Sequence, residues 1–109
     1  MTRPRIWYVL QHRPGPAAAE GVRIMDQPLF PEHLAFLRRR AEDGTLVAAG
    51  PLEDIDTEEG EGMTVLAAAS LEEARRLAEQ DDESVRSGLL AVTVRTWTVV
   101  MAPILPPTG

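Results

Sequence analysis

The chain has 109 residues, 44% of them hydrophobic, which is enough for one domain with a modest core and too little for two ordinary ones. Its 17 carboxylates outnumber 11 arginines, and the formal charge of -6 argues against nucleic acid or an anionic membrane as partner, because both would repel it. Lysine and cysteine are absent from the sequence, which excludes Schiff-base and thiolate chemistry on its side chains.

The first predicted element is a strand over residues 5–12, an aromatic and β-branched run. Alternation places Tyr8 on one face and Trp7 on the other, so both faces of this strand are apolar. The strand ends at His12. Residues 13–28 follow, rich in proline, glycine and alanine and without periodicity, which predicts a long loop of the functional or mobile kind.

A helix is predicted over residues 31–43, opened by a proline and stopped by a glycine just beyond it. Its apolar stripe is centred near Leu34, Leu37 and Ala41. At about 100° per residue, His33 is offset from that centre by roughly 70°, which predicts a position at the border of the buried face.

The remaining elements alternate between short apolar and polar stretches. Ser70 and Glu73 form a capping-box pattern ahead of the second predicted helix. In chain order we predict a strand over 45–51, a solvated acidic loop over 53–62, a strand over 63–69, a helix over 71–79, a turn-like stretch over 80–88 with room for one helical turn capped by an aspartate, a strand over 89–101 and a proline-rich tail over 102–109.

The order β-α-β-β-α-β is typical of the ferredoxin-like sandwich, an α+β fold with an antiparallel sheet and both helices on one face. We interpret residues 1–109 as one such domain. The strands are apolar on both sides, and two helices cover one side only. A second copy of the chain is the most economical cover, so we predict a homodimer packed sheet to sheet around a cleft.

Only His12 and His33 supply imidazoles. A border position lets one nitrogen of His33 bond inside the fold while the other reaches a cavity, as a general base requires; the alternative is a histidine that only packs. His12 either reaches the same cleft, as substrate binder or second base, or lies at the surface. Two histidines and one aspartate can also form a metal set, but without a local ligand motif we predict neither metal nor cofactor.

Three further residues are candidate substrate contacts. Tyr8 and Trp97 are either core or interface residues or walls of a pocket. Arg95 shares the parity of Trp97 on a largely apolar strand, facing the predicted dimer. A buried guanidinium there requires an anion, either a carboxylate of the partner chain or one of a substrate.

Three stretches, "PEHLAFLRRRAEDGTLVAAGPL", "SLEEARRLAEQDD" and "SGLLAVTVRTWTVV", resemble the YCII-related (YciI-like) domain family. The likeness runs from the first strand to about residue 100. "YVLQHRPGP" further resembles a subgroup of that family. The positions that match the family pattern in order and spacing are His33, Gly50-Pro51, Asp82 and Gly88-Leu89.

This resemblance implies a dimeric α/β-barrel of ferredoxin-like protomers, with His33 as general base or acid and Asp82 as its orienting partner. The family's proline and aromatic residue after the aspartate are replaced by Glu83 and Ser84, which leaves Asp81 as an alternative partner. Relatives of this barrel type include isomerases and lyases of small cyclic or hydroxyaromatic compounds.

Two functions follow as hypotheses. The first is a small-molecule enzyme that uses the His-Asp pair for proton transfer, of isomerase or lyase type. The alternative is a non-catalytic dimeric ligand-binding or accessory protein. No run of 18 apolar residues and no start typical of a signal peptide is present, so we expect a cytoplasmic protein.

Overall fold

The computed structural model of the protein describes residues 5–53 and 60–103. Most of the predicted acidic loop, 53–62, and of the predicted tail, 102–109, therefore lies outside the described residues. A single 3-10 turn, Ile24–Asp26, interrupts the loop after the first strand, and a π-helical turn, Leu77–Asp81, continues the second helix. The principal elements are β1 (Arg5–Pro14), α1 (Phe30–Glu42), β2 (Leu46–Pro51), β3 (Gly62–Leu66), α2 (Leu71–Arg76), α3 (Glu83–Arg86) and β4 (Leu90–Val99).

The four strands form one antiparallel sheet in the order β2-β3-β1-β4. β1 is central: Tyr8 is opposite Leu66 of β3, and Trp7 is opposite Trp97 of β4. Each helical crossover joins two strands that have a third strand between them, which is the split βαβ arrangement. The predicted ferredoxin-like α+β fold is confirmed.

The core lies between the helices and one face of the sheet. Tyr8 and Leu10 of β1 point to this face because side chains alternate along a strand. They pack with Phe36 of α1 and Leu66 of β3, and Leu10, Phe36 and Leu66 are fully buried. Burying a side chain of this size stabilises the fold by about 1.5–3 kcal/mol. This face therefore anchors both helices to the sheet.

The other face of the sheet carries a second apolar cluster. Trp7, Val65 and Val99 are buried there, and Trp97 packs edge-on against Trp7 with ring centroids 5.6 Å apart. Trp97 remains 43% exposed. In the described residues, the helices pack against the opposite face of the sheet, which carries Tyr8 and Leu10. Both faces of the sheet thus carry apolar side chains, as predicted. In the described part of the chain, helices cover only the opposite face.

The phase of α1 differs from the prediction. The structure buries His33 and Phe36, whereas Leu34 is 38% exposed and Ala41 is exposed. The predicted stripe is therefore wrong at Leu34 and Ala41, while Leu37 packs against the core as predicted, and His33 is buried instead of lying at the border. Leu34 lines an open cavity instead of the core, while Phe36 turns the helix so that His33 lies near the middle of the buried face.

β1 continues past His12, where the prediction ended it. Arg13 and Pro14 still pair with β4, opposite Ala91 and Leu90. Beyond them, Gly15 approaches the segment before β4 so closely that an added Cβ would clash with the backbone oxygen of Gly88. The loop predicted over 13–28 therefore begins two residues later and requires a glycine at its start.

The loop between β1 and α1 is held by one buried glutamine. The side-chain amide of Gln27 donates to the carbonyl oxygens of Ala19 and Val22, at 3.1 and 3.0 Å, and its oxygen accepts from the backbone N–H of Ala19 at 3.1 Å. These bonds fold the loop back on itself. The 3-10 turn that follows presents Ile24 and Met25 to the cavity beside α1.

The second helical segment begins where predicted. Ser70 Oγ accepts a hydrogen bond from the Glu73 backbone N–H at 3.1 Å, while the Glu73 carboxylate pairs with Arg76. β3 ends three residues before the predicted end at 69. After α2 the chain widens into the π-helical turn, and a short helical turn, α3, then occupies part of the stretch predicted as 80–88.

Candidate active site

His33 lies in the first turn of α1, with its side chain 11% exposed. Its Nδ1 lies 2.7 Å from Oδ2 of Asp82, 49 residues further along the chain. The ring also packs near Phe36, with centroids 6.3 Å apart and planes 20° from parallel. The helix and the segment after α2 thus meet through one short, buried contact between an imidazole and a carboxylate.

Asp82 is fully buried and both of its carboxylate oxygens are engaged. Oδ1 accepts hydrogen bonds from the backbone N–H of Ser84 at 3.0 Å and from its hydroxyl at 2.6 Å, so that Asp82 caps α3. Oδ2 is left for His33. The serine that departs from the family pattern therefore fixes the carboxylate toward the imidazole.

Asp81, the alternative partner considered above, faces a different group. Its backbone oxygen accepts from Arg39 at 2.7 Å, and its carboxylate lies 3.4 Å from Arg39 and 3.5 Å from Arg40. The ion pair with Arg39 is partly exposed, and pairs of this kind contribute about 0–1 kcal/mol. Their effect is positional, because they join α1 to the residue immediately before Asp82. The structure brings Asp82, and not Asp81, against His33.

The π-helical turn directly precedes this aspartate. Residues Leu77–Asp81 take the wider helical form, and Asp82 then adopts an extended backbone with φ -95° and ψ 106°. π-Helical turns are rare and occur often at functional sites, because the wider turn redirects the side chains that follow. Here the residue that follows is the carboxylate bonded to His33.

His12 reaches the same place from β1. Its ring centroid is 4.8 Å from that of His33, edge to face, and the residue is 5% exposed. Both of its nitrogens are buried without a hydrogen-bond partner in the described part of the chain. Burial lowers the pKa of His12 to about 4, and the neighbouring His33 lowers it further than the nearby Asp82 raises it. His12 is therefore neutral at pH 7.

A cavity of about 740 Å³ opens beside the two histidines. Its walls come from α1, the 3-10 turn, β3 and the chain between β2 and β3. Most of the lining is apolar, and charged residues such as Arg23 and Glu61 are few. Such a space suits a small organic molecule held by two or three polar groups. Its apolar lining includes Ile24, Met25, Phe30, Leu34, Leu37 and Leu90.

The other three predicted contacts lie elsewhere in the protomer. Tyr8 is part of the core between the sheet and the helices and does not line the cavity. Arg95 and Trp97 have the parity of Trp7, on the face of the sheet away from the histidines. A single protomer thus brings together His12, His33 and Asp82, and their roles stay predictions.

Sequence reasoning missed Ser84, Ile24 and Met25. The sequence did predict a helical turn capped by an aspartate in this stretch, and Ser84 is the second residue of that turn, whose backbone N–H the cap binds. No comparable signal marks Ile24 or Met25, which a pattern-free loop brings to the cavity.

One group in the described residues has the geometry to hold a metal ion. His12, His33 and Asp82 each offer a ligand atom, and these atoms lie within 4.8 Å of one another. The three residues come from β1, α1 and the segment before α3, so no local spacing marks them in the sequence. The search for membrane spans, made on the described residues, finds no helix long and apolar enough to cross a bilayer.

Fold and site together define a small ferredoxin-like α+β protein with a buried His-His-Asp group at the end of an apolar cavity. The model of the YCII-related domain matches residues 6–98, and the chain belongs to that family.

Among solved structures, the fold is similar to that of 5-chloro-2-hydroxyhydroquinone dehydrochlorinase from Burkholderia phenoliruptrix, in complex with 2,5-dihydroxybenzoquinone. The TM-score is 0.57 at 23% sequence identity, covering 83% of this chain and 92% of that one. No curated protein matches the sequence significantly.

Proposed function

We propose that this protein is a small-molecule enzyme that transfers a proton, in an isomerisation or an elimination, with His33 as general base and acid. The observation that carries the proposal is the 2.7 Å contact between His33 Nδ1 and the buried Asp82 Oδ2, beside a cavity of about 740 Å³. Membership of the YCII-related family and a structural neighbour named as a dehydrochlorinase support a reaction of this class.

The chemistry follows from the roles of the two imidazole nitrogens. Asp82 accepts the hydrogen bond of Nδ1–H, which fixes the tautomer and leaves the Nε2 lone pair free to take a proton from the substrate. The buried carboxylate then stabilises the imidazolium. In an isomerisation His33 returns the proton to another atom of the substrate. In an elimination the electron pair of the broken C–H bond forms the new double bond as the leaving group departs.

His12 completes the proposal as a substrate contact. Because it is neutral and its nitrogens are unbonded, it can donate to, or accept from, an oxygen of the substrate. Apolar walls around two imidazoles favour a small, flat, uncharged compound that carries hydroxyl or carbonyl oxygens. The quinone bound by the structural neighbour is a small, flat compound with hydroxyl and carbonyl oxygens.

The proposal includes a homodimer formed through the face of the sheet that carries Trp7 and Trp97. Trp97 is 43% exposed there beside a buried apolar cluster, and Arg95 projects from the same face. A second copy would cover the tryptophan and offer a carboxylate to the arginine. Sedimentation should show a dimer that Trp97→Arg dissociates, whereas a wild-type monomer at high concentration would contradict this part. A cytoplasmic location stays a prediction.

Substitution of the pair tests the catalytic proposal. Binding of 2,5-dihydroxybenzoquinone is measured first by thermal shift, and turnover is then screened with chlorinated hydroxyhydroquinones and small unsaturated lactones. We expect His33→Ala to lower kcat by about 10²–10⁴-fold, and Asp82→Asn to cause a large loss because the tautomer is no longer fixed. Asp81→Asn is the matched control and should retain activity.

Two results would overturn the proposal. Full turnover by the His33→Ala variant would show that His33 is not the general base. A wild-type protein that binds the quinone and turns over nothing in the screen would favour the alternative, a non-catalytic ligand-binding or accessory protein. Circular dichroism of each variant separates a lost base from a lost fold.

A further inference from the structure

His12 is the most unusual polar group of the described residues. It is 5% exposed, and both ring nitrogens are buried without a hydrogen-bond partner there. A buried polar group without a partner carries the full cost of leaving water, so such groups call for an explanation beyond packing. The imidazole therefore points to a ligand.

The neighbours of His12 indicate what that ligand is. His33 and Asp82 each offer an atom such that all three ligand atoms lie within 4.8 Å of one another. We propose that His12, His33 and Asp82 bind one divalent transition-metal ion of the Zn²⁺ type. This goes beyond the proposed proton transfer and does not depend on it.

The geometry is close to that of a three-residue metal site. With bonds of about 2.0–2.2 Å, neighbouring ligand atoms of a tetrahedral Zn²⁺ lie roughly 3.3–3.5 Å apart. The 2.7 Å contact between His33 Nδ1 and Asp82 Oδ2 would lengthen on binding, and the other separations, all within 4.8 Å, would adjust to the same range. Asp82 can make that shift while remaining oriented, because Ser84 holds its other oxygen. Hydrogen bonds to ligating carboxylates play this orienting role in metal sites generally.

The ligand set also restricts the metal. Two imidazoles and one carboxylate suit Zn²⁺, Ni²⁺, Cu²⁺ or Fe²⁺, whereas Mg²⁺ and Ca²⁺ prefer more ligands and all of them oxygen. The chain has no cysteine, so no thiolate competes for the ion. Three protein ligands leave at least one coordination position, and the cavity beside both histidines has room for a water or a ligand oxygen there.

Metal binding would oppose the chemistry proposed for His33. His33 Nδ1 is the imidazole nitrogen that lies 2.7 Å from Asp82 Oδ2, so an ion bound by both residues would replace the Nδ1 proton and break the hydrogen bond that orients the proposed base, Nε2. We therefore expect Zn²⁺ to compete with substrate and to inhibit turnover.

The test is an isothermal calorimetric titration of the protein with Zn²⁺ in the absence of substrate. The protein carries no affinity tag and is treated with a chelator beforehand. We expect one ion per chain and no heat with Mg²⁺. His12→Gln and His33→Gln should each weaken binding at least tenfold. Asp81→Asn and Glu61→Gln, which remove nearby carboxylates outside the ligand set, should leave it unchanged.

A second measurement needs no variant. In the wild-type protein, NMR of the imidazole nitrogens should show one nitrogen of His12 and one of His33 shifting together with added Zn²⁺. The proposal is overturned if Zn²⁺ does not bind, if it binds with equal affinity to both histidine variants, or if the nitrogen signals do not move. Because no substrate is present, none of these results bears on the proton transfer.

Discussion

The two faces of the sheet use the same strands for different purposes. On the helix face, Leu10 and Phe36 are fully buried in a close-packed core. On the opposite face, Trp7 is buried but its partner Trp97 is 43% exposed, and no helix in the described residues covers the cluster. Apolar content alone does not separate these faces. What separates them is which one the two crossover connections cover.

The helix face is itself divided along β1. Leu10 belongs to the core, whereas His12, two residues on and on the same side, lies at the cavity with unbonded nitrogens. Two successive side chains on one face of β1 therefore lie in different surroundings, Leu10 in the core and His12 at the cavity. The fully buried Leu10 is thus the neighbouring side chain of His12 on this face of β1.

The largest expected change in the free energy of unfolding comes from a comparison of two adjacent residues of β1, Leu10 and Val9. Leu10→Ala removes a fully buried side chain, and we expect a loss of about 2–5 kcal/mol in the free energy of unfolding. Val9→Ala, on the open face and only partly buried, should cost about 1 kcal/mol at low protein concentration. Urea unfolding of both variants measures the difference, and equal losses would mean that the open face is covered as well as the helix face.

A smaller effect concerns acid stability at the cavity end. The pKa of His12 is about 4 when folded and near 6.5 when unfolded, so the unfolded chain binds more protons between these values. Stability supplied by the neutral ring is complete above pH 6.5 and is lost as the pH falls toward 4. Between pH 7 and 5 the contribution of His12 should fall by about 2 kcal/mol.

The variant His12→Gln isolates that contribution from other titrating groups. Its free energy of unfolding should fall less than that of the wild type between pH 7 and 5, by about 2 kcal/mol at a fixed protein concentration. Tyr8→Phe, on the same face of the strand, is the control and should keep the wild-type slope. Parallel pH profiles for wild type and His12→Gln would show that the ring is not held neutral.

The smallest effect sharpens the description of the open face. Trp7 and Trp97 meet edge to face with centroids 5.6 Å apart, an arrangement worth about 0.5–1.5 kcal/mol beyond the area it buries. A double-mutant cycle with Trp7→Leu and Trp97→Leu should return a coupling free energy in this range. A value near zero would leave burial as the whole contribution of these rings.

Local patterns predicted the backbone architecture well. Alternation in β1 identified two apolar faces, and the Ser70 pattern located the start of α2, because both signals depend on short-range geometry. The predicted buried face of α1 was wrong because the apolar Leu34 lines a cavity instead of packing in the core. The pattern of apolar residues in a sequence does not distinguish these two positions.

The site depended on information of longer range. Nothing in the spacing of His33 and Asp82 predicts their contact, which came from the family resemblance alone. The π-helical turn that precedes Asp82 was not predicted, since the apolar periodicity of residues 71–79 indicates a helix but not its width. The backbone hydrogen bond of Ser84 was readable as a helix cap, whereas the orientation that Ser84 gives Asp82 toward His33 was not.

Asp82 caps α3 with one oxygen and meets His33 with the other, which couples local unfolding to the site. A helix of four residues opens more readily than the sheet beneath it. Each opening removes the two Ser84 donors from the carboxylate and frees it to turn away from the imidazole. The fraction of molecules in which Asp82 meets His33 thus depends on the opening equilibrium of α3, which exchange of the Ser84 amide proton with solvent reports.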